Sequence, residues 1–306
     1  MTRIVNNCVA LVCLCLFWGQ SLRAADASHS EQIKWGNESV FNEEHNTLGL
    51  FSGVLGGQIV LAGGTSDDYS RWGRNAVCLS ENAGFALYED VLSKPLAYGA
   101  SITLSDGILC IGGRDSSQCY EDVFLVTMQQ GKLNVSEDWP PLPFPLSNAA
   151  GALLDNKVYL FGGRKSVSPS RLSDSFFVLD LSNKSRGWKE LPGYPGSVRE
   201  DAILVVQNNG VSPCLYLLGG QTETEEGLSS CLTDGYVYNP QLDRWSPLGL
   251  DFPKGICAAV ASGANHILLF QKEPEDTQHL KKENTLWKYH TITQTLVTVS
   301  YTHLTL

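Results

Sequence analysis

The chain is short of positive charge, with 22 Lys and Arg against 32 Asp and Glu, a formal net charge of -10. That argues against nucleic acid and against anionic membrane surfaces as partners. No Cys-x-x-Cys pair exists, so neither a zinc knuckle nor a thioredoxin-type dithiol has support. Histidines number only six. No charge run is long enough to read as a disordered tail. The one notable leader-like stretch, Val9–Trp18, is too short to span a bilayer as a helix.

That stretch follows Arg3 and precedes the small-residue site Ala25-Asp-Ala27, the pattern of a secretory signal cut after Ala25 or Ala27. Residues 1–27 are therefore expected to be a signal peptide, and the rest to be secreted or periplasmic and off the membrane once cut. Six cysteines then remain: Cys78, Cys110, Cys119, Cys214, Cys231 and Cys257. Cys110 and Cys257 sit inside apolar runs, where cysteine acts as a small hydrophobe, so mostly free and buried thiols are expected.

What is present is repetition. Ile59-Val-Leu-Ala-Gly-Gly64, Ile108-Leu-Cys-Ile-Gly-Gly113, Val158-Tyr-Leu-Phe-Gly-Gly163 and Leu215-Tyr-Leu-Leu-Gly-Gly220 are one phrase written four times. Their second glycines are 49, 50 and 57 residues apart. Ile267-Leu-Leu-Phe-Gln-Lys272 keeps the apolar run and loses the glycines. A period near 50 lies in the kelch range. With 29 glycines, 13 prolines and short apolar runs, each unit reads as four strands. In the second unit they are 99–104, 108–111, 122–127 and 132–135, and Ser105-Asp-Gly107 gives a strong hairpin turn.

The links between units are proline-rich, as in Pro140-Pro-Leu-Pro-Phe-Pro145, and suit non-pairing segments. Four-stranded units in series make an all-β, kelch-type β-propeller over residues 28–300, with five blades visible. Ile33-Lys-Trp35 reads as a lone closing strand for a sixth blade, truncated in this chain, and residues 301–306 read as a non-native tail. A five-blade ring is the alternative. The glycine pairs end strands where backbones crowd; no Gly-x-Gly-x-x-Gly follows them, so they are not a phosphate loop.

The order of features is more specific. Leu96-Ala-Tyr-Gly-Ala-Ser101, Ile111-Gly-Gly-Arg114, Trp188-Lys-Glu-Leu-Pro192, Pro195-Gly-Ser-Val-Arg-Glu-Asp201 and Tyr238-Asn-Pro240 follow one another. In this order they resemble the cyclically permuted mutarotases, relatives of N-acetylneuraminate epimerase, over about residues 31–290. The resemblance implies a six-bladed kelch propeller that interconverts sialic acid anomers in the periplasm without a cofactor. It also places that family's catalytic acid and arginine in a Gly-Glu-x-x-x-Gly-x-Arg stretch, beyond residue 300, which this chain lacks.

Propeller topology puts the loops after the glycine pairs and the links between blades on one face. Arg71, Arg74, Tyr98, Arg114, Asp115, Asn148, Arg164, Arg199, Glu200 and Asp201 fall there. A guanidinium fork matches a carboxylate, so Arg71, Arg74, Arg114, Arg164 and Arg199, with Tyr98, are candidates to bind a small, anionic sugar. Glu200 and Asp201 are the candidate proton carriers. Each has a structural alternative. Arg199, Glu200 and Asp201 also suit a salt-bridged edge between blades, Arg114 and Arg164 also suit bonds to blade carbonyls, and Tyr98 also suits packing. No metal site is expected. A copper radical oxidase on this scaffold would need paired histidines that the expected face does not supply. A non-catalytic propeller binding a glycan or protein by its loop face is the other reading.

Overall fold

A computed structural model of the chain describes residues 48–80, 84–224, 226–272 and 285–299. The expected signal peptide at 1–27, the expected closing strand at Ile33–Trp35 and the expected tail at 301–306 lie outside these residues. Five four-stranded antiparallel sheets follow one another along the chain. The first blade is β1 (Leu48–Leu55), β2 (Gln58–Thr65), β3 (Ala76–Ser80) and β4 (Gly84–Tyr88). The second is β5 (Ala100–Thr103), β6 (Ile108–Ile111), β7 (Val123–Gln129) and β8 (Lys132–Ser136). The third is β9 (Ala150–Leu154), β10 (Lys157–Phe161), β13 (Phe176–Asp180) and β14 (Lys189–Glu190), interrupted by a small hairpin, β11 (Arg164–Ser166) and β12 (Arg171–Leu172).

The fourth is β15 (Ile203–Asn208), β16 (Pro213–Leu218), β19 (Gly235–Asn239) and β20 (Arg244–Pro247), with its own hairpin, β17 (Gln221–Glu223) and β18 (Ser229–Cys231). The fifth is β21 (Ile256–Ser262), β22 (His266–Gln271), β23 (Thr285–His290) and β24 (Thr295–Thr298). Successive inner strands touch, β1 with β5, β5 with β9, β9 with β15 and β15 with β21, which is the propeller arrangement. Among the described residues no helix is long and apolar enough to cross a membrane.

The uninterrupted apolar runs are explained by burial on both faces. In β6, Ile108 and Cys110 pack with Phe51, Val60 and Cys78 of the first blade. Leu109 and Ile111, one residue out of phase, pack with Val158, Leu160 and Phe177 of the third. Side chains alternate along a strand, so a strand between two neighbours must be apolar at every position. The same logic joins the third blade to the fourth through Tyr159, Phe161, Phe176, Leu217 and Trp245, and the fourth to the fifth through Tyr216, Leu218, Ile267 and Tyr289. Full burial of each such side chain contributes roughly 1.5–3 kcal/mol.

The glycine pairs latch one blade to the link that starts the next. Gly112 and Gly113 have φ of 63° and 107°. The Gly113 N–H donates to Leu146 O at 2.8 Å, and a Cβ on Gly112 would collide with that same carbonyl. Only glycine meets both demands. Four of the six described cysteines are buried, Cys257 is half-buried, Cys231 is exposed, and no disulfide joins them.

Candidate active site at the hub

Three residues at equivalent places in successive blades build the site. Tyr98, Asn148 and Asp201 each stand two residues before an inner strand, β5, β9 and β15. All three are left-handed, with φ of 60°, 55° and 52°. Their backbones form a ladder around the hub. Tyr98 N–H donates to Gly49 O at 2.7 Å, Asn148 N–H to Tyr98 O at 2.7 Å, and Asp201 N–H to Asn148 O at 3.0 Å. Asn and Asp tolerate this conformation through their short polar side chains; a tyrosine held there is uncommon. Space for it comes from Gly49, where a Cβ would lie 2.8 Å from the Tyr98 ring.

Asn148 Nδ2 donates to Asp201 Oδ1 at 2.9 Å, while Asn148 Oδ1 is buried and has no partner among the described residues. Asp201 keeps an open surface, yet protein crowds it from three blades. Burial is the main reason its proton affinity rises to about 6; Glu200 pushes the same way, while Asn148, Arg164 and Arg114 oppose it. The Tyr98 hydroxyl is also raised, first by burial and then by the contact with Tyr69, so it stays protonated at neutral pH.

Arg114 follows a glycine pair, and its guanidinium lies 4.7 Å from the Tyr98 ring centroid and 5.1 Å from that of Trp72. Among the described residues it makes no salt bridge; one weak bond reaches Asp115 O at 3.5 Å. Trp72 and Tyr69 come from the β2–β3 loop, where Trp72 Nε1 donates to Tyr69 O at 3.1 Å and Tyr98 OH lies 3.4 Å from Tyr69 OH. The result is a cation cradled by aromatic faces rather than neutralised by a carboxylate, a state worth roughly 0.5–2 kcal/mol.

The other candidates are differently employed. Arg164 grips Glu200 with both arms of its fork, Nε to Oε2 at 2.8 Å and Nη2 to Oε1, and reaches Glu223 Oε1 at 3.1 Å and Ser170 Oγ at 2.7 Å. Glu200 is consequently an ion-pair partner, and the bond from Arg164 to Glu223 ties the β11–β12 hairpin to the β17–β18 hairpin. Arg199 is 0% exposed and does not reach the hub surface. Its fork meets both Asp234 oxygens at 2.8 and 2.9 Å, Gly219 O at 2.8 Å and Tyr194 OH at 2.8 Å. This is the salt-bridged edge that the sequence left open for Arg199, whose side chain faces inward.

Arg74 pairs with Asp90 at the rim, both side chains being substantially exposed. Arg71 lies on the β2–β3 loop, where its carbonyl accepts from Thr65 Oγ1 at 2.8 Å and from Ser66 N–H at 3.0 Å. Asp115 is spent on its own loop. Bonds from Tyr120, Ser117 and Gln118 overcome burial and hold it at about 2. The structure therefore brings Tyr98, Arg114, Asn148 and Asp201 together, with Arg164 and Glu200 beside them, and engages Arg74 and Arg199 in ion pairs elsewhere. Sequence reasoning missed Tyr69 and Trp72. The available signal was Tyr69-Ser-Arg-Trp72, two aromatics in a polar loop that no strand pattern requires. No group of three or more His, Cys, Asp or Glu side chains is placed for a metal ion among the described residues.

Comparison with known proteins places this geometry in context. The sequence profile of the N-acetylneuraminate epimerases matches residues 139–273. An N-acetylneuraminate epimerase of Yersinia pestis (strain Pestoides F) is 30% identical over 139 residues, 44% of this chain and 33% of the relative. One from Haemophilus influenzae (strain PittEE) is 31% identical over 131 residues, 43% of this chain and 32% of the relative. A Kelch domain-containing protein of Vibrio cholerae is 30% identical over 141 residues, 45% of this chain and 36% of the relative. The chain thus spans about a third of the length of the curated relatives it matches. The matched stretch holds Asn148, Arg164, Glu200 and Asp201; Tyr69, Trp72, Tyr98 and Arg114 precede it. Across residues 139–273 the chain is similar to the N-acetylneuraminate epimerases, and its five described blades form a kelch-type β-propeller.

Proposed function

We propose that the hub binds an anionic sugar of the N-acetylneuraminate kind and interconverts its anomers. The observation that supports this reading most is Asp201, a carboxyl with proton affinity near 6, set beside an unneutralised guanidinium and a protonated phenol. Arg114 would meet the sugar carboxylate with its planar fork, a geometry an ammonium cannot offer. Trp72 would lie against the ring. Asp201, ionised above pH 6, would take the proton of the anomeric hydroxyl, and the Tyr98 hydroxyl would donate to the ring oxygen as the ring C–O bond breaks. The open keto form turns about the bond to the anomeric carbon, and reclosure runs the transfers backwards. No redox step and no cofactor enters. The leader read at Val9–Trp18 supports an exported site of action.

Proton NMR of anomer exchange tests this. Acceleration by the native protein, reduced about 10²-fold or more in Asp201→Asn, is expected. Exchange no faster than in buffer sinks the catalytic reading. A second reading, a propeller that binds a glycan without turning it over, draws on the ion-paired state of Arg74, Arg164 and Arg199, which leaves few guanidinium groups for chemistry. Heat of sugar binding without exchange would select it.

A further inference from the structure

Asn148 stands between Tyr98 and Asp201 in the hub ladder. Nδ2 serves the Asp201 carboxylate at 2.9 Å, while Oδ1 is buried and has no partner among the described residues. The amide carries a donor and an acceptor on one rotor. Its neighbour can use either. A carboxylate accepts only, whereas a carboxylic acid has one O–H to donate. A half-turn of the amide about χ2 exchanges Nδ2 for Oδ1 and offers the acid an acceptor at the same place. Terminal amide torsions are broad and two-fold, so both settings are accessible.

We propose that Asn148 is a positioning residue whose side-chain amide follows the protonation state of Asp201, donating to the carboxylate and accepting from the acid. This deepens the reading of Asp201 as proton carrier and rests on it. The carboxyl is thereby held in one orientation through both halves of a proton-transfer cycle. The other charged or titratable groups that bear on Asp201 are Glu200 and Arg164, locked to each other, and Arg114 and Tyr98 of the second blade. Glu200, Arg164 and Arg114 cannot both donate to the carboxylate and accept from the acid; the Tyr98 hydroxyl has both capacities, but its partner is the Tyr69 hydroxyl at 3.4 Å. The left-handed backbone supports the assignment, since asparagine is among the few residues that accept φ of 55° readily.

The test is a carbon NMR titration of the Asp201 carboxyl in the native chain, Asn148→Gly and Asn148→Asp. Glycine keeps the left-handed backbone and removes the amide. It should move the Asp201 midpoint upward by about one pH unit, because the carboxylate loses its hydrogen bond. Asn148→Asp should split the titration into two steps shared by the pair, as two carboxyls at hydrogen-bond distance cannot both ionise freely. Urea midpoints check that both variants fold. A glycine variant that titrates with the native midpoint overturns the proposal. Because the readout is a titration and not turnover, it remains decisive even if the native protein shows no anomer exchange.

Discussion

Arg114 and Arg164 sit at matching positions after glycine pairs and have opposite fates. Arg164 meets two glutamates; Arg114 meets aromatic faces. Nothing in the local sequence separates them, because the partners come from loops 36 to 59 residues away. The arginines were therefore legible as a set, and which of them meets carboxylates and which meets aromatic faces was not. If Arg114 binds the sugar carboxylate, Arg114→Lys keeps the charge and loses the fork, and calorimetry should show affinity weakened about 10-fold or more. Unchanged affinity would remove Arg114 from the site. For Asp201 the direction with pH follows from its raised affinity. As a base it works ionised, so exchange should rise with pH through a midpoint near 6 and level off above it. Stability runs the other way. A folded-state value above the unfolded value of 3.8 means that stability gained at low pH is lost as pH rises through about 6. Asp201→Asn should accordingly melt higher than native at pH 8, by about 1 kcal/mol after allowing for its open surface, and should lose this advantage by pH 4. Equal melting at pH 8 would mean that the carboxyl is ordinary.

Strands were the most legible elements. The second unit was expected at 108–111 and 132–135 and is found at Ile108–Ile111 and Lys132–Ser136. The signal is strong because two-sided burial makes the run apolar and the glycine pair marks its end. The hairpins β11–β12 and β17–β18 left no such trace. They are polar and lie half-buried or exposed over the loop face, so neither alternation nor an apolar run betrays them. The first of these and a 3-10 turn at Leu181–Arg186 lengthen the third unit, and they account for the 57-residue spacing where the others are 49 and 50. Left-handed ladder residues were half legible. Asn148 and Asp201 are natural in that conformation, and Tyr98 gives no hint of it. Its room is made by Gly49, whose φ is 64°. Gly49→Ala would both strain the backbone and press a Cβ into the Tyr98 ring at 2.8 Å. We expect a loss of about 1–3 kcal/mol in urea unfolding, together with weakened sugar binding as Tyr98 shifts. A variant that unfolds at the native urea concentration would show that the ring can move aside at no cost.

At the scale of the whole propeller the question is what fixes one blade to the next beyond apolar contact, and Arg199 answers it for the third and fourth. Its carbonyl accepts from Gly163 N–H of the third blade at 2.9 Å, and its guanidinium donates to Gly219 O of the fourth at 2.8 Å. Two glycine-pair latches are thus joined through one residue, whose side chain also holds Asp234 and the Tyr194 hydroxyl. Around it Tyr194 packs edge-on against Phe161 at 4.7 Å and Tyr236 at 5.0 Å, so the ion pair is set in an aromatic shell spanning both blades. Burial alone would lift the Asp234 carboxyl; the bonds from Arg199 outweigh it and hold the group below its ordinary value. A depressed acid contributes stability above its unfolded value, and that contribution disappears as pH falls through the folded one. Arg199→Met fills the volume but strands a partly buried carboxylate and the Gly219 carbonyl. Thermal unfolding at pH 7 should show a loss of about 3 kcal/mol, the cost of breaking a buried pair from one side. At a pH low enough to protonate Asp234 in both proteins the difference should shrink, leaving only the lost bonds to Gly219 and Tyr194. If Arg199 served the ligand instead, Arg199→Met would melt like the native protein and fail only in sugar binding, and the latch would have to be sought elsewhere.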